Sequence, residues 1–411
     1  MAEYDLLAFF LQPAVMLLAA FIAGEAMRKI GQPAVLGEIL GGIILGPSIL
    51  GLVAPGIHSF IFTQSGLAHS MVNAFVNLGM LYFLFIAGME IDLAQIRSHG
   101  RISMLISSLG IIVPFALGAS AVVLLPGIWR SPDGSGFLFP VLIGTAMSIS
   151  ALPVIIRILM DLGLTRTRQG QIIITSAIIN DLVGWSMFVY VLGMMTSTEA
   201  VHPLLSFGRI LLLGAVVLLL GRFLGTRFVA VSRRISGEAG SLLATISVAI
   251  LVGALAASRC GVHPVFGAFL VGVALGPALK HTPCAEVVIR QFAISIFAPL
   301  YFVSIGLRLD FARSFDLPLV ALVVLLAFAG KLLGAGCGAW LGRLKTRDIA
   351  MVAFGLNARG AVEIILAGVA LSAGVVDERI FLALVVMALL TTTVSVPVIR
   401  QLSRPDAVGD V

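Results

Sequence analysis

The sequence predicts an all-α polytopic membrane protein of about thirteen transmembrane helices, built as two inverted-topology repeats with discontinuous helices. Three observations carry that expectation: the composition, the even spacing of the apolar segments, and an internal match between the two halves. The chain has 411 residues, of which 59% are hydrophobic and only 11% charged. A soluble domain carries about 25% charged residues. This chain cannot cover its surface with polar groups, so lipid must solvate most of it. The net charge of +6 is spread singly and in pairs between apolar runs. That is a topology signal and excludes a nucleic-acid-binding surface. Cys260, Cys284 and Cys337 are isolated, without metal or redox spacing, and read as reduced structural residues.

Apolar segments fall at 7–27, 34–53, 70–91, 102–125, 137–160, 171–195, 204–229, 240–257, 264–279, 288–307, 317–342, 349–372 and 379–399. Each is close to the roughly 20 residues that cross about 30 Å of hydrocarbon as a helix. The acidic start, Glu3 to Asp5, lacks the basic region of a cleaved signal, so the first span is expected to stay. Connections are short, and no soluble domain is expected. Taking alternate loops, eighteen of the 26 Lys and Arg residues fall on one side and six on the other. The richer side is cytoplasmic, which puts the N-terminus outside and the C-terminus inside. The last two, Lys331 and Arg359, lie within spans.

The sixth span holds Asn180 and Asp181 at its middle. An ionised Asp at the bilayer centre costs at least about 2.5–3.5 kcal/mol on insertion scales, so a cation, a partner charge or a proton must offset it.

The stretch from Leu36 to Pro47 matches Phe266 to Pro277, with Gly37, Gly42 and Gly46 against Gly267, Gly272 and Gly276. Leu81-Tyr82-Phe83 matches Leu300-Tyr301-Phe302, and Gly88 to Asp92 matches Gly306 to Asp310. These are spans two and three against nine and ten. A displacement of seven spans inverts one half relative to the membrane. Inverted repeats characterise many secondary transporters, with the site at the midplane on broken helices. Corresponding interruptions lie in span five, from Gly144 to Pro153, and in span twelve, from Gly355 to Glu363. Half-helix ends at depth supply carbonyl oxygens and dipoles to an ion. Spans five, six, eleven and twelve hold the deep polar groups this reading recognises. Glu25 and Glu38 lie near span ends and are expected to be solvated or at a cavity mouth.

Gly37 to Ser48, Ser148 to Val154, Asn180-Asp181, and Asn357 to Glu363 together resemble the monovalent cation/proton antiporter-2 family, over essentially the whole chain. The resemblance implies an NhaA/NapA-like antiporter fold with crossed discontinuous helices, and a homodimer in a cell membrane, here a bacterial inner membrane. It also implies a core that moves like an elevator. Residues 1–69 and 236–310 would be mainly dimerisation scaffold, 70–200 and 316–402 mainly core, and 204–232 a linker helix. Electrogenic members typically carry two adjacent Asp residues, whereas an Asn-Asp pair is typical of electroneutral ones. Lys331, by contrast, is the residue of electrogenic members, so the signature is mixed. The nucleotide-binding domain of regulated K+-efflux members is not expected.

Asp181 is the expected cation and proton carrier. Desolvation disfavours the bare anion, so a proton and a cation compete for one carboxylate. Asn180 offers a carbonyl oxygen without a second titratable charge. Thr145, Ser148 and Ser150 have two readings: oxygen ligands for a hard cation, or hydroxyls bonded to the preceding turn. Lys331 is either a fixed counter-charge or a group that loses a proton in the cycle. Arg359 and Glu363, four apart on one helical face, are expected to pair with each other. Ser176, five before Asp181, is a second-tier candidate behind the direct ligands. The expected activity is exchange of a monovalent cation, Na+ before K+, for one proton, with no cofactor and no enzymatic step. A channel is the alternative, disfavoured because an inverted repeat around one carboxylate suits alternating access.

Overall fold

The computed structural model describes residues 3–62, 67–90, 100–130, 136–165, 167–196, 239–260, 264–280 and 283–403, with scattered positions between 212 and 227. All regular structure among them is helical. In chain order the first helices are α1 (Glu3–Lys29), α2 (Ala34–Leu45), the short α3 (Leu50–Val53) and α4 (Pro55–Ile61), and α5 (Leu67–Glu90). Then come α6 (Gly100–Leu124), the short α7 (Pro126–Trp129), α8 (Leu138–Ser148), α9 (Leu152–Asp161) and α10 (Arg168–Thr196). The second half holds α11 (Ala239–Arg259), α12 (Pro264–Lys280), α13 (Pro283–Phe292), a π-helical turn at Ala293–Phe297, and α14 (Ala298–Leu307). It ends with α15 (Phe311–Ser314), α16 (Leu317–Leu341), α17 (Thr346–Leu356), α18 (Ala361–Ser372) and α19 (Glu378–Ser403).

Among the described residues nine helices are long and apolar enough to cross a membrane, and three shorter apolar helices accompany them. Twelve of the thirteen predicted segments coincide with described helices or pairs of half-helices. The seventh, 204–229, lies mostly outside the described residues. Large apolar side chains such as Phe21, Leu325 and Trp340 are exposed, as lipid-facing positions require. Local chemistry sets the helix ends. Asp316 caps α16 by accepting the Leu319 N–H at 3.2 Å, with Pro318 in the first turn, where the missing N–H costs nothing.

The chain divides into two compact units. The first comprises residues 1–92 and 192–310. It contains both matched segment pairs of the repeat, and their packing is symmetric. Gly42 on α2 lies against Gly306 on α14, where an added Cβ would stand 2.2 Å from the Val303 carbonyl oxygen. Gly272 on α12 lies against Gly88 on α5, where an added Cβ would stand 2.1 Å from the Phe85 oxygen. The reciprocal contacts follow the same rule, with Gly306 against the Ile39 oxygen and Gly88 against the Phe269 oxygen, both 2.2 Å. Gly42 and Ile39 are therefore equivalent to Gly272 and Phe269. Gly88 and Phe85 are equivalent to Gly306 and Val303. This pairing places the Tyr82–Tyr301 sequence match one residue out of register, while the Gly88–Gly306 match stands.

Helix α5, grouped with the core in the sequence reading, packs within this first unit. Its glycine face fits α12 backbone to backbone. Glu25 is exposed and pairs with Arg28, as expected of a solvated end. Glu38 differs: it is buried. The reason is the close fit of α2 on α1, where Gly37 approaches the Ala23 carbonyl and Gly41 the Ala19 carbonyl.

The second unit comprises residues 93–191 and 311–411. Its apolar core includes Phe139, Leu142, Ile173, Leu356 and Phe381. Both predicted interruptions are helix breaks here. Span five divides into α8 and α9, with Ile149 extended between them. Span twelve divides into α17 and α18 around Asn357 to Gly360. Helix α10, which carries Asn180 and Asp181, runs unbroken.

Candidate functional site

Every candidate residue lies in the second unit, around the two helix breaks. The breaks meet directly. The Ala151 N–H donates to the Ala358 carbonyl at 3.1 Å, and the Ser150 hydroxyl donates to the Leu356 carbonyl at 2.8 Å. Gly360 is required at this crossing, because a Cβ there would stand 2.9 Å from the Ala151 Cβ. Two interrupted helices thus exchange hydrogen bonds at their ends, which keeps their freed backbone groups satisfied away from water.

Asn180 is fully buried and Asp181 nearly so. The Asn180 Nδ2 donates to the Ser150 Oγ at 3.4 Å, linking α10 to the crossing. Its Oδ1 accepts no hydrogen bond among the described residues. An amide carbonyl so placed is a hard oxygen available to a cation.

The buried cations cap one half-helix. Arg359 donates through Nη1 to the Ala146 carbonyl at 2.7 Å and the Ile149 carbonyl at 3.4 Å. Its Nη2 donates to the Met147 carbonyl at 2.6 Å. The Lys331 Nζ donates to the Ser148 carbonyl at 2.5 Å and to the Gly110 carbonyl of α6 at 2.9 Å. The last carbonyls of a helix lack intrahelical partners and carry its negative dipole end. Two positive charges on the end of α8 therefore have a clear structural role.

Lys331 reaches Gly110 because α16 lies close on α6. A Cβ at Gly334 would stand 2.4 Å from the Leu109 carbonyl oxygen. Arg359 and Glu363 pair at 3.2 Å with both side chains buried, but Arg359 lies in the break that precedes α18 and does not share a helical face with Glu363. Glu363 also sits in the first turn of α18, where the dipole favours an anion.

The hydroxyls divide. Thr145 donates to the Val141 carbonyl at 2.7 Å and Ser148 to the Thr145 carbonyl at 2.9 Å, both within α8. Their lone pairs are not consumed by donation. Ser150 instead bridges Asn180 and α17. Ser176 faces α6: its hydroxyl donates to the Ser103 carbonyl at 3.5 Å, and its own carbonyl accepts from Ser107 at 2.9 Å. It is a contact between helices, and no hydrogen bond joins it to Asn180.

Sequence reading passed over the part played by α19. Thr392 accepts the Arg359 N–H at 3.0 Å and donates to the Arg359 carbonyl at 2.6 Å, pinning the break. Ser395 accepts from the Asn357 Nδ2 at 3.4 Å. Asn357, quoted only as part of a motif, is fully buried at the crossing. Its signal was visible: an amide at a helix interruption inside an apolar span. Thr392 and Ser395 looked like ordinary membrane-helix hydroxyls.

Residues 16–404 match the family described as sodium/hydrogen exchanger, transmembrane. Cation/H(+) antiporter 18 of Arabidopsis thaliana is 32% identical over 406 residues, covering 96% of this chain and 49% of the relative. The chain thus spans about half the length of that relative. Na(+)/H(+) antiporter NhaS4 of Synechocystis is 28% identical over 393 residues, covering 93% of this chain and 94% of that protein. Among solved structures, the sodium proton antiporter MjNhaP1 of Methanocaldococcus jannaschii superposes with a TM-score of 0.65 at 16% identity, over 97% of each chain. That likeness is one of fold. It agrees with the polytopic, broken-helix architecture, and the family match runs through both halves of the repeat and the crossing between α8 and α17: this multi-pass membrane protein belongs to the transmembrane sodium/hydrogen exchanger family.

Proposed function

We propose that this chain exchanges a monovalent cation, Na+ in preference to K+, for protons across a cell membrane. Asp181 binds the cation and the proton in alternation. The observation that carries this reading is the placement of Asn180 and Asp181: both are buried at mid-helix, and Asn180 is tied through Ser150 to a crossing of two half-helices. A carboxylate there is neutralised equally by a proton or by a cation, and the bare anion crosses hydrocarbon only at high cost. That asymmetry couples the two fluxes. The names of the relatives, cation/H(+) and Na(+)/H(+) antiporters, support exchange of a monovalent cation for protons.

The stoichiometry follows from the charges. Arg359 and Glu363 neutralise each other, and Lys331 is engaged with carbonyls at the end of α8. Asp181 is then the one group with a reason to change occupant, so one proton leaves for each cation bound. The second unit, carrying the site, is the moving core of an elevator-type cycle. The first unit, including α5, is the scaffold and the surface of a homodimer. The N-terminus faces outside and the C-terminus the cytoplasm of a bacterial inner membrane.

Everted vesicles with a fluorescent pH probe test the reading. Adding Na+, K+ or Li+ should dissipate a preformed proton gradient, and Asp181→Asn should abolish the response. Normal exchange by Asp181→Asn would sink it.

A further inference from the structure

The two half-helix ends that meet at the crossing are not treated alike. The end of α8 receives an ammonium and a guanidinium, from Lys331 and Arg359. The end of α17 receives a hydroxyl, Ser150 on the Leu356 carbonyl, and the Asn357 N–H folded back on Ala353 and Phe354. Among the described residues no cationic side chain reaches this last turn. Both are C-terminal helix ends with negative partial charge. One is balanced by the protein and the other is left for something else.

Asn357 stands at that unbalanced end. It is fully buried, and its Nδ2 is held by Ser395, which itself donates to the Thr391 carbonyl at 2.7 Å. The anchor fixes the amide plane and leaves Oδ1 without a hydrogen-bond donor among the described residues. Asn180 shows the same pattern on the other side of Ser150: Nδ2 engaged, Oδ1 not. A buried carbonyl oxygen without a partner is costly unless a ligand uses it. One belongs to the residue that donates to Ser150, and the other to the residue that follows Leu356, whose carbonyl Ser150 holds.

We infer that Asn357 contributes an uncharged oxygen to the transported cation, at the C-terminal end of α17. This rests on the exchange reading above and adds a residue to it. The cation, held by Asp181 and Asn180 from α10, is held from the opposite element by Asn357 Oδ1 and the dipole of α17. A proton on Asp181 makes no use of Asn357. The residue therefore sets cation affinity and leaves proton affinity alone, which a purely structural cap would not do.

The test is Na+-dependent exchange in proteoliposomes of the full chain, with the Na+ KM and maximal rate measured separately. Asn357→Ala should raise the Na+ KM at least about ten-fold, the low end for a contact to a charged group, with the proton dependence unchanged. Ser395→Ala removes only the anchor and should raise it less. If Asn357→Ala does not accumulate, Ser395→Ala decides: a Na+ KM unchanged from the wild type overturns the inference. So does an Asn357→Ala protein that exchanges with the wild-type KM, while Asp181→Asn remains inactive and the exchange reading stands. Normal exchange by Asp181→Asn overturns both.

Discussion

The Lys331 ammonium rests on the Ser148 carbonyl, 2.5 Å away, at the last residue of the half-helix α8. A second contact, 2.9 Å to the Gly110 carbonyl, ties the same nitrogen to α6. One side chain thus joins α16, α8 and α6 and neutralises a helix end. Two carbonyl contacts of this kind suit a fixed counter-charge, one of the two roles the sequence leaves open for Lys331.

Lys331→Met keeps most of the side-chain volume and removes the donor. It should lower stability by about 1–3 kcal/mol for each buried carbonyl left without a partner. Thermal unfolding of the detergent-solubilised protein measures this directly. An unchanged unfolding midpoint with lost transport would reassign Lys331 to the transport step.

Exchange should be indifferent to membrane potential. In liposomes carrying a defined K+ gradient with valinomycin, the Na+/H+ exchange rate should stay the same at positive, zero and negative potential. A rate that follows the potential would overturn one-for-one exchange and implicate Lys331.

Removing one member of the Arg359–Glu363 pair should be worse than removing both. Arg359→Ala leaves Glu363 buried without its partner and strips the Ala146, Met147 and Ile149 carbonyls of their donor, at a cost of about 3–5 kcal/mol. The double variant with Glu363→Ala should recover part of that loss, giving a coupling of about 0.5–3 kcal/mol in a double-mutant cycle. Strict additivity of the two single effects would contradict the pairing.

The symmetric glycine contacts of the first unit should respond alike. Gly42→Ala and Gly272→Ala each drive a Cβ to within 2.2 Å of a carbonyl oxygen. Each should destabilise by about 1–3 kcal/mol, the usual cost of overpacking. Gly56→Ala, which meets nothing within 4 Å, is the control. Their thermal midpoints should fall together while the control stays at the wild-type value.

The position of Asp181, the breaks at 149–151 and 357–360, and the matched glycines were all legible along the chain. Each depends on local information. A charge interrupts an apolar run, Pro and Gly weaken a helix, and a repeat shows as recurring letters. The Arg359–Glu363 pair was expected from i, i+4 spacing on one helix, yet it forms between the break that holds Arg359 and the first turn of α18. The burial of Glu38, expected to be solvated or at a cavity mouth, depends on a partner. Here that partner is α1, brought close by Gly37 and Gly41. Ser176 was ranked by its spacing from Asp181 on α10, whereas α6 is what claims its hydroxyl and its carbonyl.

The sequence by itself determined the class of this protein, its run of membrane spans, its interrupted helices and the residue that must be neutralised at depth. Hydropathy and backbone chemistry act over one or two helical turns, so a linear reading captures them. Tertiary structure decided what each buried polar group does. It set Lys331 and Arg359 on the end of α8, left the end of α17 to Ser150 and Asn357, and placed α5 with α12. Those outcomes depend on carbonyls contributed by segments up to 221 residues away. Hydrogen bonds satisfy whichever donor the packing brings within 3 Å or so, and spacing along the chain carries no record of that choice.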